Sequence, residues 1–517
     1  MSTSRSLGIA LVIALAACAR GRPMPEAPML PAAAAPAPAP PPKSDRCGLA
    51  RALPKPLRVV AYLTGGRPAL DALRRDLRAL LDRYVAESSG GVSYEIVDAG
   101  KPSNAERVAA SGLEPFEVQP EAPGAAPVRG VSGLVLEYDG RVERLKALAP
   151  SAAPVLELSI ASRISELRAL AEGRKRRVGV VTGHGEVPLG EPNLVPDGSG
   201  PDLRRILAEH FPLYELVDVD LARAPEGSLA GLDGLLVLQP SVDYTDAELR
   251  TIDAFTVRGK SLVVAASAVN LKAGDASMRA SLSTHRLDAL LRGYGVELRT
   301  DAAVDFGRSF DVLVYVSQGV RRLRFPAILD VRDDPRFGGA SRLLDPTFTP
   351  FLKIARVALP FASTLALRPD AQPAVPASGF RVRARTTPKA LRLVTSEVDL
   401  GPLRKWSAPS DAELAQHAVA VTVEGRLQSA FADARRPGGP PPGSRPSRVL
   451  VIASSQLFYN PFVRAAGSSA DGDTVRQFAM PYANEVLTNT ILVAKATLEW
   501  MTMDDDLRAC ADALSAD

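Results

Sequence analysis

Residues 178–186 read Val-Gly-Val-Val-Thr-Gly-His-Gly-Glu, an apolar run that stops at Gly183-His184-Gly185-Glu186. Valines closed off by glycines describe a short buried strand ending in a tight turn. In an α/β sheet, the carboxyl end of a strand is where ligands are held. One of only four histidines in the chain sits there beside a carboxylate. Gly183, His184, Gly185 and Glu186 therefore form the candidate ligand or partner turn.

The sequence downstream alternates between two periods. Strands are expected at Arg177–Thr182, Leu213–Val219, Gly234–Leu238 and Ser261–Ala266, and Gly234–Leu238 is nearly all apolar, as buried parallel strands are. Helices are expected over Pro201–His210 and Leu287–Tyr294, and Thr245-Asp-Ala-Glu248 is a capping box opening another through Phe255. Regularity then gives way to short β-like runs and a Pro/Gly linker at Arg436–Pro446. Arg448–Ala453 resumes as a buried strand and Asn484–Met501 as a helix. The pattern predicts a doubly wound α/β domain, residues 173–304 plus 447–517, with a β-rich insertion and linker at 305–446.

Upstream, Leu57–Leu63 reads as a strand, and Leu70, Leu73, Leu77, Leu80, Leu81 and Tyr84 share one helical face. Val92–Val97, a short helix at Ala105–Ser111, a hairpin turning at Asp139-Gly140 and a helix over Leu158–Leu170 complete a β-α-β-α-β-β-α order. This is the order of a thioredoxin-like fold, assigned to residues 56–172. A redox member carries Cys-x-x-Cys after its first strand; here the residues are Thr64-Gly65-Gly66-Arg67, so no thiol chemistry is expected.

Residues 1–17 hold one charge, Arg5, before an apolar run too short to span a bilayer, and so read as a signal peptide. The run ends Leu15-Ala16-Ala17-Cys18, the pattern of a bacterial lipoprotein cleavage site, with Cys18 the acylated residue. Residues 18–55 form a Pro/Ala-rich tether; ~20 residues of polyproline II at ~3.1 Å each would reach ~60 Å. Of three cysteines, Cys47 and Cys510 remain, and a disulfide between them is expected in an oxidising compartment. Net charge is +4 over 517 residues and aromatics are 5%, so nothing points to nucleic acid. Arg321, Arg322 and Arg324, and likewise Arg381, Arg383 and Arg385, read as solvated strand faces or as contacts for an acidic partner or lipid headgroups.

The segments around His184 resemble the GldG-like auxiliary component of an uncharacterised ABC transport system of the gliding-motility type. The likeness runs through Tyr94-Glu95-Ile96-Val97-Asp98, Gly112-Leu113-Glu114-Pro115 and Arg163-Ile164-Ser165-Glu166-Leu167 into Gly183-His184-Gly185-Glu186. It continues through Val357–Ser363, Leu393–Ser396, His417–Val421, Glu424–Ser429, and Asn484, Asn489 and Trp500. The resemblance implies a non-catalytic extracytoplasmic partner of an ABC permease and ATPase. It also implies an α/β core similar to class I glutamine amidotransferases and to an N-terminal domain of intraflagellar transport proteins. Relatives carry membrane-spanning helices at one or both ends; here the acylated Cys18 is expected in place of the first, and none follows before Asp517. The family's Gly-Asp-Ser-Asp-like turn reads Ala453-Ser454-Ser455-Gln456 here, two carboxylates fewer, which argues against a metal or polar-ligand site there. The chain is thus expected to be lipid-anchored to a membrane and to face the periplasm.

The residue types argue against chemistry. Neither Cys47 nor Cys510 follows a sheet strand as an amidotransferase nucleophile would, and no Gly-x-Ser-x-Gly elbow exists. Gly259-Lys260-Ser261 lacks the first glycine of a phosphate loop and precedes a strand. No cofactor or metal is expected. Three roles remain for His184 and Glu186: a structural turn, a ligand contact, or a base and its orienter in an envelope hydrolase or glycan-modifying enzyme.

Overall fold

The computed structural model describes residues 51–515 except 52, 67, 119–127, 149–155, 197–199, 201, 224–228, 317–318, 353, 402–403, 436–444, 455 and 468–471. The signal peptide, Cys18, Cys47, Arg67, nearly all of the tether and most of the Pro/Gly linker lie outside these residues.

Two sheets organise the chain. The first has four strands in the order Val92–Asp98, Leu57–Leu63, Ser132–Tyr138, Arg141–Leu145. The first pair is parallel and the other two are antiparallel. Asp139 and Gly140 both have positive φ, the two-residue turn whose twist suits a hairpin. Helix Pro68–Glu87 buries the expected stripe, Leu70 to Tyr84, on one face. Val108, next to Leu113, packs the other face through helix Ala105–Ser111.

The second sheet has nine strands. Five are parallel and lie in the spatial order Tyr214–Asp220, Arg176–Thr182, Gly234–Leu238, Ser261–Ala265, Ser447–Ile452. By chain order this is 2-1-3-4-5, in which the winding direction reverses between the first and third strands. Antiparallel Ala418–Gly425 extends it, followed by Leu365–Leu367 and Val296–Leu298, with Phe380–Arg385 also on Ala418–Gly425. Both faces are covered. Leu203, Leu207 and Leu498 pack on Val178, Leu236 and Leu450. Leu249, Ile252 and Leu290 pack on Val181, Leu235 and Val451. Alternation of partners along each strand explains why these strands are apolar throughout.

The region between holds further small sheets, among them Ser309–Val316, Gly319–Val331 and Val357–Pro360, over a third core with Phe310, Phe462 and Tyr482. Arg322 and Arg324 extend into solvent on the long strand, as a solvated face requires. Arg383 does not. It is 5% exposed and pairs with Asp345 and Glu424, so the solvated reading fails there: two carboxylates from neighbouring segments bury it. Among the described residues, no helix is long and apolar enough to cross a membrane.

Helix Leu156–Ala171 joins the two sheets. Leu156, Ile160, Ile164 and Leu167 enter the first core, while Leu158, Ala161 and Ala169 enter the second. Between them Glu166 accepts from Lys495 Nζ at 2.7 Å, and Lys495 also reaches Glu499 at 2.5 Å; Arg163 pairs with Glu166 as well. Tyr214 donates to the same carboxylate at 3.2 Å. Burial alone would raise the Glu166 carboxyl, but the charges of Lys495 and Arg163 and the Lys495 hydrogen bond hold it down at about 2. A depressed carboxylate stabilises the fold above its unfolded value and loses that contribution as pH falls toward the folded one. Acid titration should therefore remove stability between about pH 4.5 and about pH 2. Lys495→Met should cost about 3–5 kcal/mol in urea unfolding, because it leaves Glu499 buried without its cation and Glu166 with only Arg163.

Candidate functional site

The winding reversal puts the Gly183–Glu186 turn, after the first parallel strand, beside Gln239, after the third. Neighbouring connections leave in opposite directions at such a point and open a crevice outside the strand ends. A crevice of about 970 Å³ lies there, lined by Gly185, Glu186, Gln239, Ser241, Asn270 and Gln456 among others.

The turn is bolted from three directions. Gly183 (φ +111°) and Gly185 (φ +66°) occupy backbone conformations that disfavour side chains. A Cβ on Gly185 would fall 2.0 Å from Ser241 Oγ. The His184 carbonyl accepts from Ser241 N at 2.8 Å and Val242 N at 3.1 Å, and the His184 amide donates to Glu186 Oε2 at 2.7 Å. Glu186 Oε1 accepts from Tyr244 Oη at 2.6 Å. Burial and the Glu186 charge push the Tyr244 phenol far up, so it stays a donor.

The His184 ring is buried behind the turn. It lies 4.3 Å, centroid to centroid, from Tyr244, and its Nε2 is 3.1 Å from Glu248 Oε2. A carboxylate only accepts, so Nε2 carries the proton. Glu248 is the capping-box residue of helix Asp246–Thr256 and also takes Thr245 N and Oγ1. Burial opposes its charge, yet these bonds, with His184, hold its carboxyl below the ordinary range. His184 Nδ1 has no partner and stands 3.8 Å from Glu186 Oε1. The hydroxyl of Ser241 donates to the His184 carbonyl, and no described hydroxyl or thiol bonds the ring. The sequence thus brings Gly185 and Glu186 to the crevice and places His184 behind it.

The remaining walls come from loops at other strand ends. Gln239 (φ +35°) donates to Asn270 Oδ1 and Ser267 O at 3.0 Å and accepts from Ser267 N. His285 reaches Asn270 Oδ1 through Nε2 and Asp243 Oδ1 through Nδ1, both at 2.9 Å. Asn460 caps helix Pro461–Ala466 and donates to Leu194 O and Ala479 O, which ties that helix to the loop after the His184 turn. None of these residues sits in a motif. Gln239 could have been found only from its position just after strand Gly234–Leu238; Gln456 belongs to the Ala453-Ser454-Ser455-Gln456 turn read above as arguing against a polar-ligand site, yet it lies in the crevice wall. Among the described residues, no group of three or more His, Cys, Asp or Glu could hold a metal ion.

Residues 175–495 match the family of an uncharacterised ABC-type transport system, and this span is more than half of the chain. The protein therefore belongs to the family of auxiliary components of that system. Residues 48–136 match a domain of unknown function, DUF7088. A solved structure titled mmIFT52 N-terminal domain aligns at 12% identity over 63% of this chain and 98% of its own, with a TM-score of 0.33. No curated protein matches.

Gly185→Ala should lower stability by about 1–2 kcal/mol, the cost of a left-handed residue with a Cβ. Adding Ser241→Ala should recover only the part due to the 2.0 Å clash. Chemical denaturation of the two variants measures both terms.

Proposed function

We propose that this protein is a non-catalytic, lipid-anchored auxiliary component of an ABC transport system that binds a solute or partner at the crevice beside Gly185 and Glu186. The observation that carries the reading is the crevice itself. It stands where the sheet reverses its winding, hydrogen bonds of Glu186 with Tyr244 and of Gln239 with Asn270 fix part of its wall, and the family is one of transport. The ABC permease and ATPase are its proposed partners, and the GldG-like, gliding-motility type is the proposed subgroup.

The 2-1-3-4-5 order and the two covered faces support an amidotransferase-like domain over 173–304 and 447–517, with the insertion at 305–446. The four-stranded sheet supports a thioredoxin-like domain over 56–172. Thr64 Oγ1 there accepts from Val131 N, a structural task at the position of a redox cysteine. The burial of the His184 ring, with Nε2 committed to Glu248, favours binding over the hydrolase reading.

Cys18 is the proposed acylation site, residues 1–17 the signal and 18–55 the tether, which places the folded part on the periplasmic side. Cys510 is fully buried and disulfide-bonded, which supports Cys47 as its partner. Cys18→Ser should move the protein from the membrane to the soluble fraction, and wild type should co-purify with a co-expressed permease and ATPase of the same system. A processed Cys18→Ser chain that stays with membranes contradicts the anchor. Glycan, ester or peptide hydrolysis abolished by Glu186→Gln contradicts the non-catalytic reading. Non-reducing peptide mapping should yield one cross-linked Cys47–Cys510 peptide.

A further inference from the structure

The crevice holds two polar groups that the fold leaves without partners. Gln456 is 2% exposed, and its Oε1 accepts no hydrogen bond. Arg464, on helix Pro461–Ala466, has Nε and Nη1 shielded from solvent with no acceptor, and no described carboxylate pairs with it. Its guanidinium carbon lies 5.4 Å from the centroid of the Tyr459 ring, which holds the plane in place. Both groups line the crevice with Lys272. The carboxylate nearest the His184 turn cannot serve them: both Glu186 oxygens are taken, by Tyr244 and the His184 amide.

A shielded guanidinium without an anion, and a buried carbonyl oxygen without a donor, each cost free energy comparable to a lost hydrogen bond or more. Other buried charges of this fold, such as Arg383 and Lys495, are paired internally. Arg464 has no such ion pair, and it lies in the crevice. The planar fork of an arginine matches carboxylate or phosphate oxygens, and an amide oxygen needs an O–H or N–H. About 970 Å³ is ample for a ligand of sugar size.

We infer that the crevice binds a small acidic sugar, its carboxylate or phosphate on Arg464 and a hydroxyl on Gln456 Oε1, with Lys272 adding positive charge at the wall. This rests on the reading of the crevice as a binding site and specifies what it holds.

Thermal unfolding of the full chain with D-glucuronate, glucose 6-phosphate, glucose and inorganic phosphate tests it. At least one acidic sugar should raise Tm, and whichever of the two does so tells carboxylate from phosphate; glucose should not. Arg464→Met should abolish the shift, and Gln456→Leu should weaken binding at least tenfold. Without ligand, Arg464→Met should be as stable as wild type, since it removes an unpaired charge. Arg464→Lys, which keeps the charge, should retain a reduced shift and carries the test if the methionine variant does not fold. No shift with either acidic sugar, an equal shift with glucose or inorganic phosphate, or a shift that survives in Arg464→Met would overturn the inference. Co-purification of Arg464→Met with the permease and ATPase, measured in parallel, reports on transporter association whatever the sugars do.

Discussion

The ion cluster of Glu166, Lys495, Arg163 and Glu499 is the constraint on which the rest of the molecule depends. A helix with one apolar stripe can serve one sheet, whereas Leu156–Ala171 serves two and is buried nearly all round. Its few polar positions are thereby forced inside, where charge is tolerated only when paired and hydrogen-bonded. Lys495 supplies the cation from a helix 329 residues away. The same cluster takes in Tyr214, at the first residue of an edge strand, so the second sheet is held at its margin as well. Ser165 and Arg168 extend the network to Asp504. Misplacing any of these elements would strand a buried charge, which makes the arrangement specific rather than merely favourable.

The crevice inherits its shape from that arrangement. The parallel strands present their carboxyl ends together, and the reversal of winding leaves a gap between the first and third. What fills the edges of the gap is a set of side chains that hold one another. Glu186 meets Tyr244, His184 meets Glu248, and Gln239 meets Asn270. Each bond joins a strand-end loop to another loop or to a helix cap. A site built this way is preformed, so a ligand meets it without a large ordering cost.

Much of this was legible in the sequence, for identifiable reasons. The helix at Leu70–Tyr84 announces itself because one face meets a sheet and the other meets water. The Asp139-Gly140 turn and the Thr245–Glu248 capping box are readable because their chemistry is confined to four residues or fewer. The Gly183–Glu186 turn was legible for the same reason. The residues that complete the crevice were not, because Tyr244, Asn270, Gln456 and Arg464 acquire their roles from neighbours far off in the chain. Arg383 shows the limit from the other side. Alternation with apolar residues normally marks a wet face, and only the approach of Asp345 and Glu424 turns that position into a buried one.

The strand order has a consequence for how the chain is assembled in time. Ser447–Ile452 lies beside Ser261–Ala265, and the hydroxyl of Ser261 reaches the carbonyl of Met501, 240 residues later. The bridging helix shares the delay, since it waits for Lys495 and Asp504. The second sheet cannot bury all its apolar surface until the last helices have left the ribosome, whereas the first sheet's core is drawn from residues up to 171. Folding dominated by such distant pairings is slow, because loop closure must precede the contacts that reward it. The face of the second sheet that those helices cover therefore stays bare through most of synthesis.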